Sequence, residues 1–391
     1  MFPSQRLLMG PGPSLVHPRV TQAMTSPVLG HLDPEFIGVM NEIQVLLRKT
    51  FQTKNDFTIA LSGTGMSGME AAFANLIERG DKALICVKGF FGMRMKLVAQ
   101  KLGAEVTTIE APWGSVFTPA QIEEALKKNS GVKVVAIVHA ETSTGVLQPM
   151  NGIGEIVHKA GVLLLTDCVT SLGGAEVTID EWGVDVAYSG TQKCLSCPPG
   201  LSPFTISDRA MEYIRKRKTP VSSFYLDAVE LEKYWCGEKR AYHHTAPAPM
   251  FYALLEGLTL VHEEGLANRY KRHQLNGNAM RAGLAALGFT FLAQPENILP
   301  HLITALLPAG VDDAVARKQL LNDYDAEIGG GFGELLGKMW RVGVMGESSE
   351  RKHVIRLLSS IEAVLAKNNC GDKMGVGVRT AEEYYITHTK Q

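Results

Sequence analysis

The sequence predicts an α/β protein in which a mostly parallel sheet is covered by helices on both faces and followed by a smaller α+β unit. Short apolar runs of the kind that form buried strands alternate with segments of helical periodicity between residues 57 and 166. This alternation is typical of parallel sheets whose crossover connections are helices. Near residue 260 the pattern changes to a long helical segment and then to mixed short runs, which indicates a second unit.

The composition is that of an ordinary globular protein. The 391 residues are 45% hydrophobic and 20% charged, which is enough chain for two domains with a large core. A formal net charge of −1 gives no electrostatic reason to expect nucleic acid or an anionic membrane as a partner. The apolar runs are too short to cross a bilayer, and the first six residues lack the pattern of a signal peptide. We therefore expect a cytoplasmic protein.

The six cysteines favour the same compartment. They are scattered through strand-like or site-adjacent segments, as is usual for reduced thiols. Cys194 and Cys197 form a CxxC pair, but no second pair follows at the spacing of a zinc site. We therefore expect no metal.

Residues 1–18 are predicted to form an extended arm, because the sequence GPGP at residues 10–13 does not suit a helix interior or a central strand. Such an arm usually packs across a neighbour or a partner subunit, and a frayed terminus is the alternative. The first long helix is expected to begin after Asp33, a suitable N-cap, with Pro34 in its first turn. Apolar residues between 36 and 47 recur at helical spacing and indicate a face turned toward the core.

Strands and helices then alternate along the chain. We predict strands over residues 57–61, 83–87, 134–138 and 162–166, and helices over residues 67–77 and 153–159. Residues 89–92 are predicted to be a loop before a helix that runs through Leu97, and Thr118 with Gln121 forms a capping box for another helix. In open sheets of this type, ligands bind beyond the carboxyl ends of the strands.

The C-terminal third is predicted to be a smaller α+β domain. Residues 258–281 form either one long helix or a broken pair that bridges two domains, and an apolar stripe marks a helix from residue 349 onward. The predicted organisation is therefore an arm (1–18), a large domain (19–264), a small domain (265–368) and a polar tail (369–391). The tail has few residues to bury, so we expect it to be loosely held.

Three chemical features follow strand-like runs. Residues 61–66 (LSGTGM) end a strand and open a helix, an arrangement that cradles a phosphate. Asp167 ends a second apolar run, and Lys193 closes the turn at residues 189–193 (SGTQK) after a third. A lone lysine is usually a solvated surface charge. Together, however, these features are what pyridoxal phosphate requires: a phosphate anchor, a carboxylate that keeps the pyridine nitrogen protonated, and an amine that forms a Schiff base.

Other motifs have competing interpretations. Arg341 begins a strand and suits a carboxylate ligand, with an interdomain salt bridge as the equal alternative. The glycine-rich residues 329–338 lack the ending of a nucleotide-binding loop, which favours a turn before a strand. His243 and His244 are adjacent and do not share a face, which favours structural hydrogen bonds over a metal site. His139 follows a strand, as catalytic residues often do, but its sequence context alone assigns it no chemical role.

These motifs resemble those of the class V, fold-type I aminotransferases. The lysine segment at residues 189–193, followed by PPG at 198–200, is similar to the lysine segment of that family. The resemblance is narrowed to the alanine–glyoxylate aminotransferases by GPGP at 10–13, SGTG at 62–65, HAETSTG at 139–145, YHHT at 242–245 and RVG at 341–343. It covers about residues 6–366. The ordered set of motifs is specific, although no single motif is.

The resemblance implies roles for the residues around the cofactor ring. Lys193 forms the Schiff base and moves the proton between substrate and cofactor, and Asp167 pairs with the pyridine nitrogen. Thr142 hydrogen-bonds a ring substituent, and Phe91 takes the stacking position that is often tryptophan in the family. Arg341 binds the α-carboxylate of the substrate.

The resemblance also implies a phosphate site shared between two subunits. Gly65 and Met66 offer backbone N–H groups, and Gln192 lies alongside. Tyr242 and Thr245 reach the phosphate of the partner subunit, which implies a homodimer. Met66 stands where close relatives have histidine, a change that bears on affinity and substrate preference more than on the class of reaction.

The activity predicted on this basis moves an amino group from a small amino acid, with alanine favoured, to glyoxylate, giving glycine and pyruvate. The substrates are thus small amino acids and 2-oxo acids. The near alternative is serine as donor to glyoxylate or pyruvate, or a related lyase on the same scaffold. The alternative of another class is a non-catalytic binding protein, against which the intact Lys193, Asp167 and Arg341 argue.

Overall fold

The structure is a computed structural model that describes residues 4–237, 239–371 and 373–389. Its strands, in chain order, are β1 (Leu7–Leu8), β2 (Phe57–Ser62), β3 (Lys82–Val87), β4 (Glu105–Glu110), β5 (Val132–Val138), β6 (Ala140–Glu141), β7 (Val146–Leu147), β8 (Leu163–Asp167), β9 (Val186–Tyr188), β10 (Leu201–Ile206), β11 (Thr290–Phe291), β12 (Leu302–Leu306), β13 (Ala326–Glu327), β14 (Gly329–Gly330) and β15 (Met339–Gly343).

The α-helices flank these strands and link the two parts of the chain. In order they are α1 (Pro18–Ala23), α2 (Pro34–Phe51), α3 (Gly65–Leu76), α4 (Phe90–Lys101), α5 (Pro119–Lys128), α6 (Ile153–Lys159), α7 (Ile179–Trp182), α8 (Asp208–Arg215), α9 (Ala228–Trp235), α10 (Ala248–Glu264), α11 (Leu266–Ala286), α12 (Asp313–Tyr324), α13 (Arg351–Lys367) and α14 (Val376–His388). The predicted Asp33 cap of α2 and the Thr118–Gln121 capping box of α5 are both confirmed.

A seven-stranded sheet in the order β2-β10-β9-β8-β5-β3-β4 is the centre of the larger part. Its neighbouring strands are parallel except at β10, which runs antiparallel to both β2 and β9. Helices α2, α3, α4, α6 and α10 pack against these strands. The predicted mostly parallel, helix-covered sheet is confirmed, and its strands β2, β5, β8 and β9 all end at the same edge.

A four-stranded sheet in the order β11-β12-β15-β14 forms the smaller α+β part. Its strands pair antiparallel, and α11, α13 and α14 pack together beside it over a second hydrophobic cluster. The cluster also takes in Leu7 and Met9 from the N-terminal arm. Strand β1 of that arm pairs with β13, so the arm packs against its own chain.

Two local predictions are corrected by the structure. Residues 90–92, predicted to be a loop, are the first turn of α4, because a buried carboxylate, that of Glu141, accepts hydrogen bonds from the backbone N–H groups of Phe91 and Gly92. The tail is not loosely held, because α14 packs along α11. The buried hydroxyl of Tyr385 donates to Asn276 Oδ1 at 2.6 Å. The bridging segment is the broken pair, since α10 and α11 meet at Gly265.

Helix α11 packs closely against the backbone just before β12, the second strand of the small sheet. A Cβ added to Gly277 would lie 1.8 Å from the carbonyl oxygen of Pro300, so only glycine fits there. Gly38 in α2 is the opposite case, because a Cβ added there would have no other atom within 4 Å among the described residues.

We predict that Gly277→Ala destabilises the protein by about 1–3 kcal/mol, because the added methyl group forces the helix away from a backbone oxygen. Gly38→Ala is the matched control and should stabilise by about 0.5–1 kcal/mol, since alanine is favoured over glycine inside an unobstructed helix. The midpoints of thermal unfolding measure both effects. An unchanged midpoint for Gly277→Ala would contradict the packing described here.

Candidate active site

A cavity of about 560 Å³ opens at the carboxyl edge of the central sheet. Its lining residues are Thr64, Gly65, Met66, Met69, Phe91, Val138, Ala140, Thr142, Asp167, Val169, Thr170, Tyr188, Gln192 and Lys193. Every cofactor-site residue predicted from the sequence is therefore in this cavity, apart from Tyr242 and Thr245. The carboxyl ends of parallel strands meet at this edge, which explains why segments distant in sequence converge here.

Lys193 lies in the turn after β9 and is held there by the N-terminal arm. Its amine donates a hydrogen bond to the carbonyl oxygen of Pro11, and Ser14 Oγ donates to the carbonyl oxygen of Lys193 at 2.7 Å. Gly12 has a φ of +105°, and a Cβ there would lie 2.6 Å from Lys193 Nζ. Burial, and then the positive charge of Arg341, lower the pKa of Lys193 to about 8. A larger share of this amine is thus neutral and nucleophilic near neutral pH.

Asp167 ends β8 and is 3% exposed. Its Oδ1 accepts from the backbone N–H of Val169 at 2.8 Å, and its Oδ2 accepts from the Tyr188 hydroxyl at 2.9 Å. Burial raises the pKa of this carboxyl to about 6, against the effect of these two hydrogen bonds. A cationic N–H placed beside the carboxylate would favour its charged form.

The start of α3 forms an anion cradle. The backbone N–H groups of Gly65 and Met66 begin this helix and have no partner inside it. The N-cap Thr64 makes no side-chain capping bond, so the positive end of the helix faces the cavity. Gln192 adds a buried side-chain oxygen that has no hydrogen-bond partner among the described residues. An anion that accepts from the N–H groups fits this cradle, with the Gln192 amide turned to donate as well.

Phe91 and Thr142 line the same cavity as the cradle and Asp167. The position of Phe91 depends on Glu141, which is fully buried and whose carboxylate accepts from its backbone N–H at 3.2 Å. The same carboxylate accepts from the Ser143 hydroxyl at 2.5 Å. Glu141 thus anchors the start of α4 and, with it, the ring of Phe91.

Arg341 lies on β15 outside the cavity lining but close to the lysine turn. The carbonyl oxygen of Pro11 accepts the hydrogen bond from Lys193, and the ring of Pro11 lies against Gly329. Gly329 is also next to an Nη atom of Arg341. Arg341 is 7% exposed, and burial lowers its pKa to about 10. Its Nε donates to Gly330 O at 2.7 Å. Within the described residues it forms no ion pair, and its Nη atoms have no hydrogen-bond partner.

The histidine and cysteine motifs serve packing. His243 Nδ1 and His244 Nδ1 are 2.7 Å apart, and His244 Nε2 contacts Ser62 Oγ at 2.7 Å, as predicted for structural hydrogen bonding. Cys194 and Cys197 are buried and donate to backbone carbonyl oxygens. All six cysteines lie in the described part of the chain and are free.

Tyr242 and Thr245 are exposed, and the Tyr242 ring is 61% accessible and packs against His31 with 4.7 Å between ring centroids. They do not line the cavity of this chain. Their predicted role at a phosphate of the partner subunit stays a prediction.

Sequence reasoning missed Tyr188 and Lys88 beside the cavity. Tyr188 is the register partner of Asp167 in the β8–β9 pair, so its place immediately before the lysine turn was a usable signal. Lys88 follows β3 and is 1% exposed, with its amine donating to the carbonyl oxygen of Val138. Nothing in its local sequence distinguishes it from a surface lysine, because only the tertiary fold encloses it.

The arrangement fits pyridoxal phosphate. The α3 cradle and the side-chain N–H groups of Gln192, once its amide is turned, would hold the phosphate. Asp167 would face the pyridine nitrogen, and the Lys193 amine would take the aldehyde. Phe91 and Thr142 would flank the ring. A group of three or more metal-ligating side chains does not occur among the residues that the structure describes.

Comparison with known proteins agrees with this geometry. The family model described as aminotransferase class V matches residues 9–333. A (S)-ureidoglycine–glyoxylate transaminase of Bacillus subtilis is 40% identical, over 99% of this chain and 97% of its own length. The crystal structure of the B. subtilis ureidoglycine–glyoxylate aminotransferase superposes with a TM-score of 0.96 at 41% identity, covering 99% of both chains.

A second solved structure is similar over slightly less of the chain. The alanine–glyoxylate aminotransferase from Nostoc sp. has a TM-score of 0.92 and 49% identity, covering 93% of this chain and 96% of its own. The alanine–glyoxylate aminotransferase of Drosophila melanogaster is 39% identical over 95% of each chain. The chain therefore belongs to the class V aminotransferases. It is a pyridoxal phosphate-dependent transaminase, and the cavity described above is the site that fits the cofactor.

We predict that an amine-selective acylating reagent labels Lys193 in the cofactor-free protein, and that the pH dependence of this labelling gives an apparent pKa near 8. The neutral amine is the reactive form, so labelling should rise as pH passes through that value. Peptide mapping across a pH series gives the measurement.

Lys88 is the matched control for that experiment. Burial also lowers its pKa to about 8, yet it is enclosed, so it should stay unlabelled in the folded protein. Two results would contradict the description of the lysine turn. One is labelling of Lys193 that begins only above about pH 10, where an ordinary lysine titrates. The other is protection of Lys193 from the reagent even without cofactor.

Proposed function

We propose that this protein transfers the amino group of alanine to glyoxylate, giving glycine and pyruvate. The observation that carries the proposal is Arg341, a buried guanidinium beside the lysine turn whose two Nη atoms are unpaired among the described residues. Burying N–H groups of a guanidinium without hydrogen-bond acceptors costs free energy, which a bound carboxylate would offset. Alanine and glyoxylate are small substrates that present such a carboxylate. The alanine–glyoxylate names of several relatives support the same pair.

The residues of the site have separable tasks in this proposal. The bound cofactor supplies an electron sink for the pair of electrons left when the substrate α-proton is removed. Lys193 takes that proton, and its lowered pKa makes the neutral amine available as the base. The Asp167 carboxylate would keep the ring nitrogen of the bound cofactor protonated, and the Tyr188 hydroxyl donates to this carboxylate and orients it. Arg341 holds the carboxylate of donor and acceptor in turn, so both half-reactions use one site.

(S)-Ureidoglycine is a second candidate donor. The Bacillus subtilis transaminase named for it matches 99% of this chain, whereas the mammalian alanine–glyoxylate aminotransferases match 92–93%. Serine stays a third donor, with glyoxylate or pyruvate as acceptor. The relatives named for alanine and for (S)-ureidoglycine both use glyoxylate in their names, so we propose glyoxylate as the principal acceptor.

We predict that a panel of donors and acceptors gives the highest kcat/KM for alanine with glyoxylate. Alanine, serine and (S)-ureidoglycine are each tested against glyoxylate and pyruvate, with product amino acids quantified by chromatography. Lys193→Ala is the inactive control. A larger kcat/KM for (S)-ureidoglycine or serine would replace alanine as the donor, and the absence of glycine formation from glyoxylate would overturn the proposal.

The proposed functional unit is a cytoplasmic homodimer that contributes Tyr242 and Thr245 to the partner's phosphate site. Support comes from exposed aromatic side chains around these residues, since Phe224 and Tyr225 are also exposed. Exposed aromatic clusters are typical of protein interfaces. No helix in the described ranges is long and apolar enough to cross a membrane.

The predicted domain limits, after residues 18, 264 and 368, are kept as part of this proposal. The two large hydrophobic clusters support the limit after residue 264, because one ends at Val261 and the other resumes at Ala279.

We predict that Tyr242→Phe combined with Thr245→Val raises the dissociation constant of the cofactor about tenfold or more, through loss of two hydrogen bonds to a charged phosphate. Titration of the cofactor-free protein by fluorescence measures it. The control is Tyr384→Phe with Thr387→Val, which removes the same two hydroxyl groups from α14. Equal affinities in the two variants would remove Tyr242 and Thr245 from the site.

A further inference from the structure

Four side chains form a continuous column beside the site. The guanidinium of Arg94 lies over the ring of Phe90, 5.0 Å from its centroid. Phe90 stacks on Phe332 with centroids 4.3 Å apart and ring planes 14° apart. The guanidinium of Arg341 covers the far side of the pair, 4.1 Å from the centroid of Phe332. Cations on the faces of aromatic rings attract them, so each contact in the column is favourable.

The column joins the two parts of the chain. Phe90 and Arg94 belong to the first turns of α4, whose start is anchored by the buried Glu141. Phe332 follows β14, and Arg341 lies on β15 of the small sheet. The ring pair therefore connects the helix that carries the cavity residue Phe91 with the strand that carries the arginine.

The column fixes the orientation of Arg341. The guanidinium carbon of Arg341 lies over the ring of Phe332, and Gly330 O accepts a hydrogen bond from Nε. An arginine stacked in this way still donates hydrogen bonds in its plane. The edge that carries Nη1 and Nη2 thus stays available at a fixed angle, as bidentate binding of a carboxylate requires.

We propose that Phe332 and Phe90 are positioning residues that set the affinity of this enzyme for the carboxylate shared by its amino-acid and 2-oxo-acid substrates. The inference rests on the proposed role of Arg341 and deepens it. Phe332 contacts the guanidinium of Arg341 and Phe90 contacts Phe332, so in this proposal the rings act through Arg341 and not on the reacting atoms. Loss of the stack should therefore weaken the binding of donor and acceptor alike and leave the chemical step nearly unchanged.

The test uses the cofactor-loaded enzyme and the variants Phe332→Leu and Phe90→Leu. Both residues are only half-buried, so the variants should fold. We expect Phe332→Leu to raise KM for alanine and for glyoxylate by about threefold to thirtyfold, the range of one cation–aromatic contact. The kcat should stay within about twofold. The dissociation constant of propionate, which carries the carboxylate but no amino group, should rise by the same factor in calorimetry.

Two matched variants separate stacking from general packing. Phe332→Tyr keeps the ring face and should retain the original KM values. Phe291→Leu removes another arginine–phenylalanine contact, that of Arg281 at 5.8 Å, two strands away from β15, and should change neither KM nor kcat. Phe90→Leu should act in the same direction as Phe332→Leu but more weakly, because it lies one ring further from Arg341.

Arg341→Gln distinguishes failure of this inference from failure of the proposed function. In the Arg341→Gln background, Phe332→Leu should add little, since the guanidinium it positions is gone. If Arg341→Gln raises both KM values and Phe332→Leu raises neither, the positioning role is overturned and the carboxylate role stands. If Arg341→Gln changes neither KM, the carboxylate role itself fails. A loss of kcat or of bound cofactor in Phe332→Leu at constant KM also overturns the inference.

Discussion

The site depends on the buried contact between Asp167 and Tyr188, which the parallel pairing of β8 and β9 makes unavoidable. The register places the two residues opposite each other at the ends of adjacent strands, and the hydroxyl reaches the carboxylate at 2.9 Å. The chain then turns within residues 189–193 to present Lys193. A shift of β9 by one residue would send the side chain of Tyr188 to the other face of the sheet, away from Asp167. Helix α3 and its anion cradle pack against the same strand β9.

The charged forms of Asp167, Lys193 and Arg341 are destabilised by burial when no ligand is bound. Burial raises the pKa of Asp167 and lowers those of Lys193 and Arg341, so each group is less stable in its charged form than it would be in water. Ligands that supply the opposite charges relieve this cost and bind the folded state alone. Their binding therefore stabilises the fold by mass action. The same three buried groups thus couple ligand binding to stability.

Three features of the cavity were accessible from the sequence because each follows an apolar run whose strand character is local, whereas the roles of Phe91, Thr142 and Gln192 were implied only by the family resemblance. Asp167, Lys193 and the LSGTGM segment are of this kind, and the fold brings them together as expected. Contacts between distant segments were not accessible. Phe90 and Phe332 are ordinary aromatic residues until the two sheets place them face to face. The polar tail was misjudged because Gly377, Ala381 and Tyr385 bury one narrow face against α11, which average polarity conceals.

The N-terminal arm has a consequence for the order of events in folding. Ser14 is bonded to a residue 179 positions later in the chain, and the backbone N–H of Leu15 donates to Ser348, 333 positions away. Contacts of such high sequence separation form late, because the loops they close cost entropy that only other native contacts repay. The contact between Leu15 and Ser348 therefore forms only after residue 348 has been synthesised. A nascent chain that has completed its central sheet would still lack this contact and the pairing of β1 with β13, so the N-terminal arm reaches its full set of contacts only near the end of synthesis.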